Sequence, residues 1–434
     1  MRIPMIKSLR SAALITVLLA LPYSYAESIK PESLGFSKEG LQTITRVYDN
    51  EFKEGHIPGA VILIKRHGKI VYAEAIGYQN KDKNISMKRN NIFRNYSMTK
   101  PFVAVAAMQL MEQGKLTLAD PVSKFIPELK EMKVAVEEKD GDKTTYKLVS
   151  TNREIQIIDL LRHTSGIVYG EITKNKLLQD AYKQQKLVNE NLAYDVRSLT
   201  PQQEIDALSK VPLSTQPGTN WEYSLSVDLL GRVVEKVSGQ RLGDYLKQHI
   251  FTPLNMTDTG FYLNSSNLTR LAEPLDTDPF THQPIHLIDV AEQPNNDSGG
   301  AGSVTTADDY MNFITMLLDH GTYNHQHILS PASISLMSSD QLGNRTTLPY
   351  SPGQLLMGVD GYTFGLGFMV RKEDGLAGVL GSKGEYMWAG AAGTFFWVEP
   401  QKDLAVVVMT QVPGPVRPYY RRLIKDLVDS ALIN

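Results

Sequence analysis

Short apolar runs at both ends of the chain predict two β-hairpins. The four runs are Ala60–Ile64, Lys69–Ala73, Thr394–Val398 and Leu404–Met409. The first pair flanks a His67-Gly68 turn and the second pair flanks a turn over Pro400–Asp403. Runs rich in β-branched and aromatic residues on either side of such turns are typical of paired strands. Helices are predicted outside the hairpins, over about residues 37–52 and 418–432.

The order of these elements predicts an α+β fold with one antiparallel sheet. Strands at both ends of the chain, with helices between them, indicate a sheet built from both termini and flanked by helices. We expect a mostly helical subdomain to be inserted at about residues 100–290. Within it, the charged residues 137–147 are predicted to be a loop, residues 173–191 an exposed helical insertion and residues 273–297 a long loop.

The first residues have the features of an export signal. Arg2, Lys7 and Arg10 precede the apolar run Ser11–Leu21, and Ser24-Tyr25-Ala26 offers small residues for cleavage. The run is shorter than the roughly twenty residues that a membrane-spanning helix needs. We therefore predict a signal peptide that ends at Ala26, and a bacterial periplasmic or secreted protein without stable membrane insertion. An N-terminal membrane anchor or a buried helix is the alternative.

Composition narrows the classes of function. The 434 residues are 42% hydrophobic and 21% charged, as in soluble globular proteins and unlike disordered, collagen-like or polytopic membrane chains. The net charge of −2 lacks the basic excess that is usual in nucleic-acid-binding proteins, so no nucleic-acid partner is expected. Cysteine is absent, which excludes disulfides, thiolate metal sites and a cysteine nucleophile.

Ser97 and Lys100 are the first candidates for chemistry. They open a predicted helix with an apolar face, and their spacing of three places them one turn apart. A serine hydroxyl becomes a nucleophile when a nearby base takes its proton, and a partly desolvated lysine is neutral enough to be that base. The alternative is a serine N-cap followed by an exposed lysine, and the motif alone does not decide between the two.

Two later segments carry further candidates. Tyr223 precedes an apolar helix, where its phenol either points into a cleft or packs with a single hydrogen bond. The segment Trp388–Thr394 is rich in small residues, which let a substrate carbonyl approach a strand edge closely. An N–H of that edge would form an oxyanion hole together with the N–H of Ser97. Tight packing of this strand against a helix is the alternative.

The order of these motifs resembles the serine β-lactamase and penicillin-binding superfamily. Ser97-x-x-Lys100 is followed by Tyr223-Ser224 and then by Trp388-x-Gly390. The supporting segments that occur in the same order are Gly114–Val122, Leu160–Gly166 and Ser298–Tyr310. The resemblance extends from about residue 35 to 430 and is strongest to the class C-like branch, within it to the family VIII carboxylesterases. It implies a β-lactamase/transpeptidase-like serine hydrolase domain over residues 27–434, with no cofactor and no metal.

The resemblance also implies a role for each site residue. Ser97 would be the nucleophile, Lys100 and Tyr223 would share the general-base and general-acid work, and the N–H groups of Ser97 and Ala391 would form the oxyanion hole. The implied substrate contacts are Trp388, Leu225 and Gly390. Class C β-lactamases carry a lysine at the position of Trp388 and an asparagine at the position of Leu225. Apolar side chains therefore replace a cation and an amide that recognise a β-lactam.

These departures favour a carboxylesterase that hydrolyses short-chain or aryl esters. A β-lactamase or D-amino-acid peptidase of the same fold, or a penicillin-binding sensor that acylates without turnover, is the alternative. In each case the partner is a small-molecule ester or β-lactam-like compound.

The histidines are not predicted to carry the chemistry. His320, His325 and His327 lack a carboxylate at helical spacing and are not predicted to bind metal, and His163 is interpreted as fixing a turn.

Overall fold

The largest sheet joins the two ends of the chain. The computed structural model describes residues 30–140, 143–188 and 196–434. Its strands are β1 Gly59–Arg66, β2 Lys69–Asn80, β3 Ile85–Ser86, β4 Ile92–Arg94, β5 Lys133–Asp140, β6 Lys143–Ser150, β7 Asn220–Glu222, β8 Val304–Thr306, β9 Thr322–Tyr323, β10 Gln326–His327, β11 Thr346–Leu348, β12 Tyr362–Phe364, β13 Met369–Arg371, β14 Tyr386–Ala389, β15 Phe395–Glu399 and β16 Leu404–Thr410. Eight of them form an antiparallel sheet in the order β12-β13-β14-β15-β16-β1-β2-β3. The first and last long strands, β1 and β16, are neighbours, with Leu63 opposite Val407. The prediction of a sheet built from both termini is confirmed.

Helices cover both faces of this sheet. The α-helices are α1 Lys38–Lys53, α2 Lys100–Glu112, α3 Ile157–Leu161, α4 Lys176–Gln184, α5 Pro201–Leu208, α6 Ser226–Ser238, α7 Leu242–Leu246, α8 Ser265–Leu268, α9 Ala307–Leu318, α10 Pro331–Met337, α11 Pro352–Met357 and α12 Arg417–Ser430. Lys65 of β1 donates to Thr315 of α9, whereas the next residue, Arg66, donates to the backbone of Leu34 and Asn434 beside α1 and α12. Successive strand residues point to opposite faces, so α9 lies on one face and the terminal helices on the other.

Helices are the main regular elements of the region inserted between the terminal strands, as predicted. Helices α2 to α8 lie within it, and α2 packs against α6. Helix α4 falls in the predicted helical insertion, whose last residues, 189–191, lie outside the described ranges. Residues 273–297 contain no helix or strand, in agreement with the predicted loop. The predicted signal peptide also lies outside the described residues. Within those ranges, every helix is too short or too polar to cross a membrane.

The prediction of a loop over residues 137–147 is wrong for residues 137–140 and 143–147, and residues 141 and 142 lie outside the described ranges. Strands β5 and β6 pair there as an antiparallel hairpin, with Val136 opposite Lys147 and Ala135 opposite Leu148. Glu137, Glu138 and Lys147 are exposed, and a two-stranded ribbon that is largely solvated needs few apolar residues. Val134 and Ala135 are buried, whereas Val136 and the two glutamates after it are exposed, so only the first part of β5 packs against the rest of the protein.

Candidate active site

Ser97 lies on a tight turn between a strand and a helix. Strand β4 leads into a 3₁₀ turn over Tyr96–Thr99, and α2 begins at Lys100 rather than at Ser97 as predicted. The cause is Pro101, which has no N–H to donate to the carbonyl of Ser97, so that carbonyl accepts from the N–H of Lys100 instead. Tyr96 has a positive φ of 48° and its hydroxyl accepts from the N–H of Ile288, which holds the turn.

Lys100 is buried against Ser97. Its Nζ atom lies 3.1 Å from Ser97 Oγ, and only 1% of the residue is exposed. The alternative of an exposed lysine after an N-cap is therefore wrong. Nζ also donates to Tyr169 Oη at 3.0 Å and to the carbonyl of Gly300 at 2.7 Å. Burial lowers the pKa of the Lys100 ammonium to about 7, although the nearby carboxylate of Asp228 opposes the shift. A lysine with this pKa is in part neutral at neutral pH and able to accept a proton.

Tyr223 completes the group around Ser97 Oγ. Its hydroxyl donates to Ser97 Oγ at 2.6 Å, so it does more than pack. Tyr223 lies between β7 and α6, and β7 is held by parallel pairing with β11 and by the bond from the N–H of Glu222 to the carbonyl of His163. Lys100 Nζ lies 4.8 Å from the centre of the Tyr223 ring. The structure thus brings together three residues that are far apart in the sequence.

Tyr169 belongs to the site but was missed in the sequence. Its hydroxyl accepts from Lys100 Nζ, and its ring centre lies 5.2 Å from that of Tyr223. Tyr169 sits in an irregular segment shortly after the predicted signature Leu160–Gly166, with no local pattern that marks it as functional. Its proximity to that signature was the available clue.

Asp228 was also missed, and it organises the far side of Lys100. The residue is fully buried on α6, where its Oδ1 accepts from Ser298 Oγ at 2.6 Å and from the N–H of Gly300 at 3.0 Å. The carbonyl of the same Gly300 accepts from Lys100 Nζ. Burial raises the pKa of Asp228, while the positive charge of Lys100 lowers it. A carboxylate inside a helix with an apolar pattern was the signal that could have identified it.

The segment after β14 passes directly beside the serine turn. Thr394 Oγ1 donates to the carbonyl of Asn95 at 3.1 Å, and the N–H of Gly390 donates to the carbonyl of Thr394 at 2.8 Å. A Cβ on Gly390 would lie 2.2 Å from the carbonyl oxygen of Asn95, so only glycine fits there. The N–H of Gly390 is thus occupied within the turn, and the N–H of the next residue, Ala391, is the oxyanion donor that the resemblance implies; that role stays a prediction.

Trp388 and Leu225 lie beside the site with almost no exposed surface. The Trp388 ring packs 5.3 Å from that of Tyr223 and 5.3 Å from that of Phe364, and the residue is 1% exposed. Leu225 is fully buried before the start of α6. Trp388 therefore packs against the ring of Tyr223. The predicted contact of these two residues and of Gly390 with substrate stays a prediction.

His163 supports the Tyr223 side of the site. Its ring centre lies 4.9 Å from that of Tyr223, and its Nδ1 is 3.0 Å from Ser224 Oγ. Its backbone has a positive φ of 55°, which fits the predicted turn. Burial and the charge of Lys100 hold the pKa of His163 well below its usual range, so the imidazole is neutral.

One group of potential metal ligands lies away from Ser97 among the described residues. Ligand atoms of Glu51, Glu54 and His56 lie within 4.8 Å of one another at the end of α1. Glu51 Oε2 already accepts from Tyr420 Oη at 2.7 Å and lies 2.9 Å from His56 Nδ1. Because these contacts account for the arrangement, we assign no metal to it.

Comparison with known proteins identifies the family. The family model described as Beta-lactamase matches residues 44–429. Protein Rv1367c of Mycobacterium tuberculosis is 32% identical over 369 residues, which cover 82% of this chain and 86% of that protein. Esterase EstB of Burkholderia gladioli is 27% identical over 407 residues, which cover 89% of this chain and 94% of that esterase.

Solved structures agree with this assignment. The structure described as "EstCE1, a hydrolase with promiscuous acyltransferase activity" has a TM-score of 0.73 and 29% identity, with 90% of this chain and 98% of that chain covered. Simvastatin synthase (LovD) from Aspergillus terreus shares the fold, with a TM-score of 0.74, 22% identity and coverage of 91% of this chain and 99% of that chain. The predicted place in the serine β-lactamase and penicillin-binding superfamily, near the family VIII carboxylesterases, is confirmed. The chain belongs to the beta-lactamase family and is a serine hydrolase.

Proposed function

We propose that the protein is a carboxylesterase that hydrolyses short-chain or aryl esters through an acyl-enzyme on Ser97. The observation that carries this proposal is the arrangement at Ser97 Oγ, where the Tyr223 hydroxyl lies at 2.6 Å and Lys100 Nζ at 3.1 Å. A hydroxyl between a phenol and a partly neutral amine has both a base to take its proton and an acid to return it.

Acylation begins when Ser97 Oγ attacks the ester carbonyl carbon. The Ser97 proton passes to Lys100, directly or through the Tyr223 hydroxyl, as the new C–O bond forms. The negative charge on the carbonyl oxygen is stabilised by the N–H groups of Ser97 and Ala391. The tetrahedral intermediate then breaks its bond to the alcohol oxygen, which takes a proton from the Lys100–Tyr223 pair. Alcohol leaves, and Ser97 holds the acyl group as an ester.

Deacylation reverses the roles with water in place of the alcohol. The Lys100–Tyr223 pair removes a proton from a water molecule, which attacks the acyl carbon. Ser97 Oγ is the leaving group and takes the proton back. The Lys100–Tyr223 pair gives up in each half-reaction the proton that it took, so it returns to its starting state.

Two observations support an ester rather than a β-lactam or a peptide as substrate. Esterase EstB, a named esterase, is similar along nearly the whole chain. Trp388 and Leu225 are apolar and buried, so they provide neither a cation nor an amide for a charged substrate. A site that lacks such partners loses the discrimination that hydrogen bonds provide.

We further propose that residues 1–26 direct export to the periplasm or out of the cell, on the basic and apolar pattern described above.

A comparison of two chromogenic substrates tests the proposal. The purified protein is assayed with a short-chain aryl ester and with a cephalosporin, and Ser97→Ala is the blank. Ester turnover that disappears in the variant, with little cephalosporin turnover, is expected. Faster cephalosporin turnover would replace the proposal with a β-lactamase, and an acyl-enzyme without turnover would replace it with a penicillin-binding sensor.

A further inference from the structure

Arg421 is a buried cation on α12 that is joined to the segment beside Ser97. The residue is 5% exposed. Its Nη1 donates to the carbonyl of Leu356 at 2.8 Å and its Nη2 to the carbonyl of Gly390 at 3.0 Å. Among the described residues no carboxylate forms an ion pair with Arg421, and Nε has no partner there. A buried charge without a counter-ion is costly for stability.

The Gly390 carbonyl, which accepts from Arg421 Nη2, belongs to the same peptide group as the predicted oxyanion donor, the N–H of Ala391. The carbonyl of Gly390 and the N–H of Ala391 are parts of one planar peptide unit, in which they point in opposite directions. A bond that fixes the carbonyl therefore also fixes the direction of the N–H. A cationic donor on the carbonyl oxygen also draws electron density from the peptide nitrogen, which makes that N–H a stronger donor.

One other contact, from Thr394 Oγ1 to the carbonyl of Asn95, joins the turn to the serine segment but does not hold the Gly390–Ala391 peptide itself. The remaining bonds of Gly390 restrain that peptide less completely. Gly390 donates its own N–H to Thr394, and its carbonyl also accepts from the N–H of Gly393 at 3.2 Å. Both bonds lie within the same short segment, so they would move with it. Arg421 joins the turn to α12, a helix of 14 residues packed on the sheet with α1. It is the described contact that connects the Gly390 carbonyl to a rigid element outside the turn.

We propose that Arg421 is a positioning residue of the oxyanion hole, which holds the Gly390–Ala391 peptide so that the Ala391 N–H faces the oxyanion formed at Ser97. This inference rests on the proposed acyl-enzyme function. Charge develops on the carbonyl oxygen only in the transition state, so loss of Arg421 should lower kcat and leave KM nearly unchanged. Removal of a complete oxyanion donor costs roughly 10²–10³ in kcat, and a loosened donor should cost about ten- to a hundredfold.

The test compares Arg421→Met and Arg421→Lys with Arg422→Met. Arg422 is the matched control because it lies on the same helix and donates to a backbone carbonyl, that of Met357, which is not part of the serine site. We expect Arg421→Met to lose about ten- to a hundredfold in kcat at constant KM, Arg421→Lys to lose less because it keeps the charge, and Arg422→Met to retain wild-type kcat. A folded Arg421→Met with wild-type kcat, or one in which only KM rises, would overturn the proposal.

A boronic acid inhibitor separates this inference from the proposed function. Its adduct with Ser97 is tetrahedral and places an oxygen in the oxyanion hole, so its affinity, measured by thermal shift, needs no ester turnover. Arg421→Lys should weaken this affinity by the same factor by which it lowers kcat/KM. Equal affinity in wild type and Arg421→Lys would refute the positioning role even if Arg421→Met fails to fold. Absence of ester turnover in wild type, with affinity weakened in Arg421→Lys, would refute the esterase and leave the positioning role intact.

Discussion

The pH dependence of ester hydrolysis should follow the protonation of Lys100, and Asp228→Asn should move it. Burial lowers the pKa of Lys100 from 10.5 to about 7, which corresponds to about 5 kcal/mol against the protonated form at ~1.4 kcal/mol per unit. At pH 7 about half of the molecules then hold a neutral lysine, compared with roughly one in three thousand for a solvated lysine. Burial thus supplies the base on which acylation depends.

Asp228→Asn removes a charge and keeps the shape of the side chain. The asparagine carbonyl oxygen can still accept from Ser298 and from the N–H of Gly300, as Asp228 Oδ1 does. The negative charge of Asp228 raises the pKa of Lys100, so without it the pKa falls further. The acid limb of kcat/KM, which requires neutral Lys100, should move to lower pH. At pH 6 wild type should keep about a tenth of its plateau kcat/KM, and the variant should keep more.

The assay is kcat/KM for an aryl ester between pH 5 and 9, followed at the isosbestic wavelength of the released phenol. Asp309→Asn is the control, because Asp309 is also a buried acid but accepts from Asp258 N–H and Thr259 Oγ1. Its acid limb should coincide with that of wild type. An unchanged limb in Asp228→Asn, or one displaced to higher pH, would refute the reasoning that Asp228 acts on Lys100 through its charge.

Three further variants test the site. Tyr223→Phe removes the 2.6 Å bond to Ser97 and should lower kcat by roughly 10²–10⁴ in steady-state assays; a loss below tenfold would exclude Tyr223 from proton transfer. Tyr169→Phe removes one acceptor of Lys100 and should lower kcat by about fivefold, which corresponds to the loss of one hydrogen bond of about 1 kcal/mol. An unchanged kcat would contradict a role of Tyr169 in holding Lys100. The folded state of wild type holds Lys100 with a lowered pKa, so its free energy of unfolding decreases as pH falls from about 10.5 to 7. Lys100→Met lacks this titration, so in urea unfolding it should gain about 4 kcal/mol relative to wild type over that range. Parallel pH dependence of the two proteins would contradict the burial of a neutral lysine.

The parts of the site that could be predicted from sequence are those with local signatures. Ser97 and Lys100 are one turn apart, and Tyr223 stands at the start of an apolar helix, so short patterns indicate each of them. Tyr169 and Asp228 reach Lys100 only through the packing of distant segments. No local spacing encodes those contacts, because they depend on how α2, α6 and the loop after α3 meet.

The fold shows the same distinction. The terminal hairpins were predictable because apolar runs rich in β-branched and aromatic residues flank recognisable turns, and their pairing with each other follows from the need to bury both. The β5–β6 hairpin was missed because its charged residues suggested a loop, whereas its strands are held by their pairing with each other. The burial of Trp388 was equally hidden, since an indole on a strand can face either substrate or the ring of Tyr223.

The most direct test of the central claim is to locate the acyl group on the protein. Wild type is mixed with an aryl ester, quenched in acid, and examined by intact mass and peptide mapping, with Ser97→Ala treated in the same way. The acyl-enzyme mechanism predicts a mass increase of one acyl group on the peptide that contains Ser97, and none in Ser97→Ala. An acyl group on a different residue, or ester hydrolysis that persists in Ser97→Ala, would contradict it.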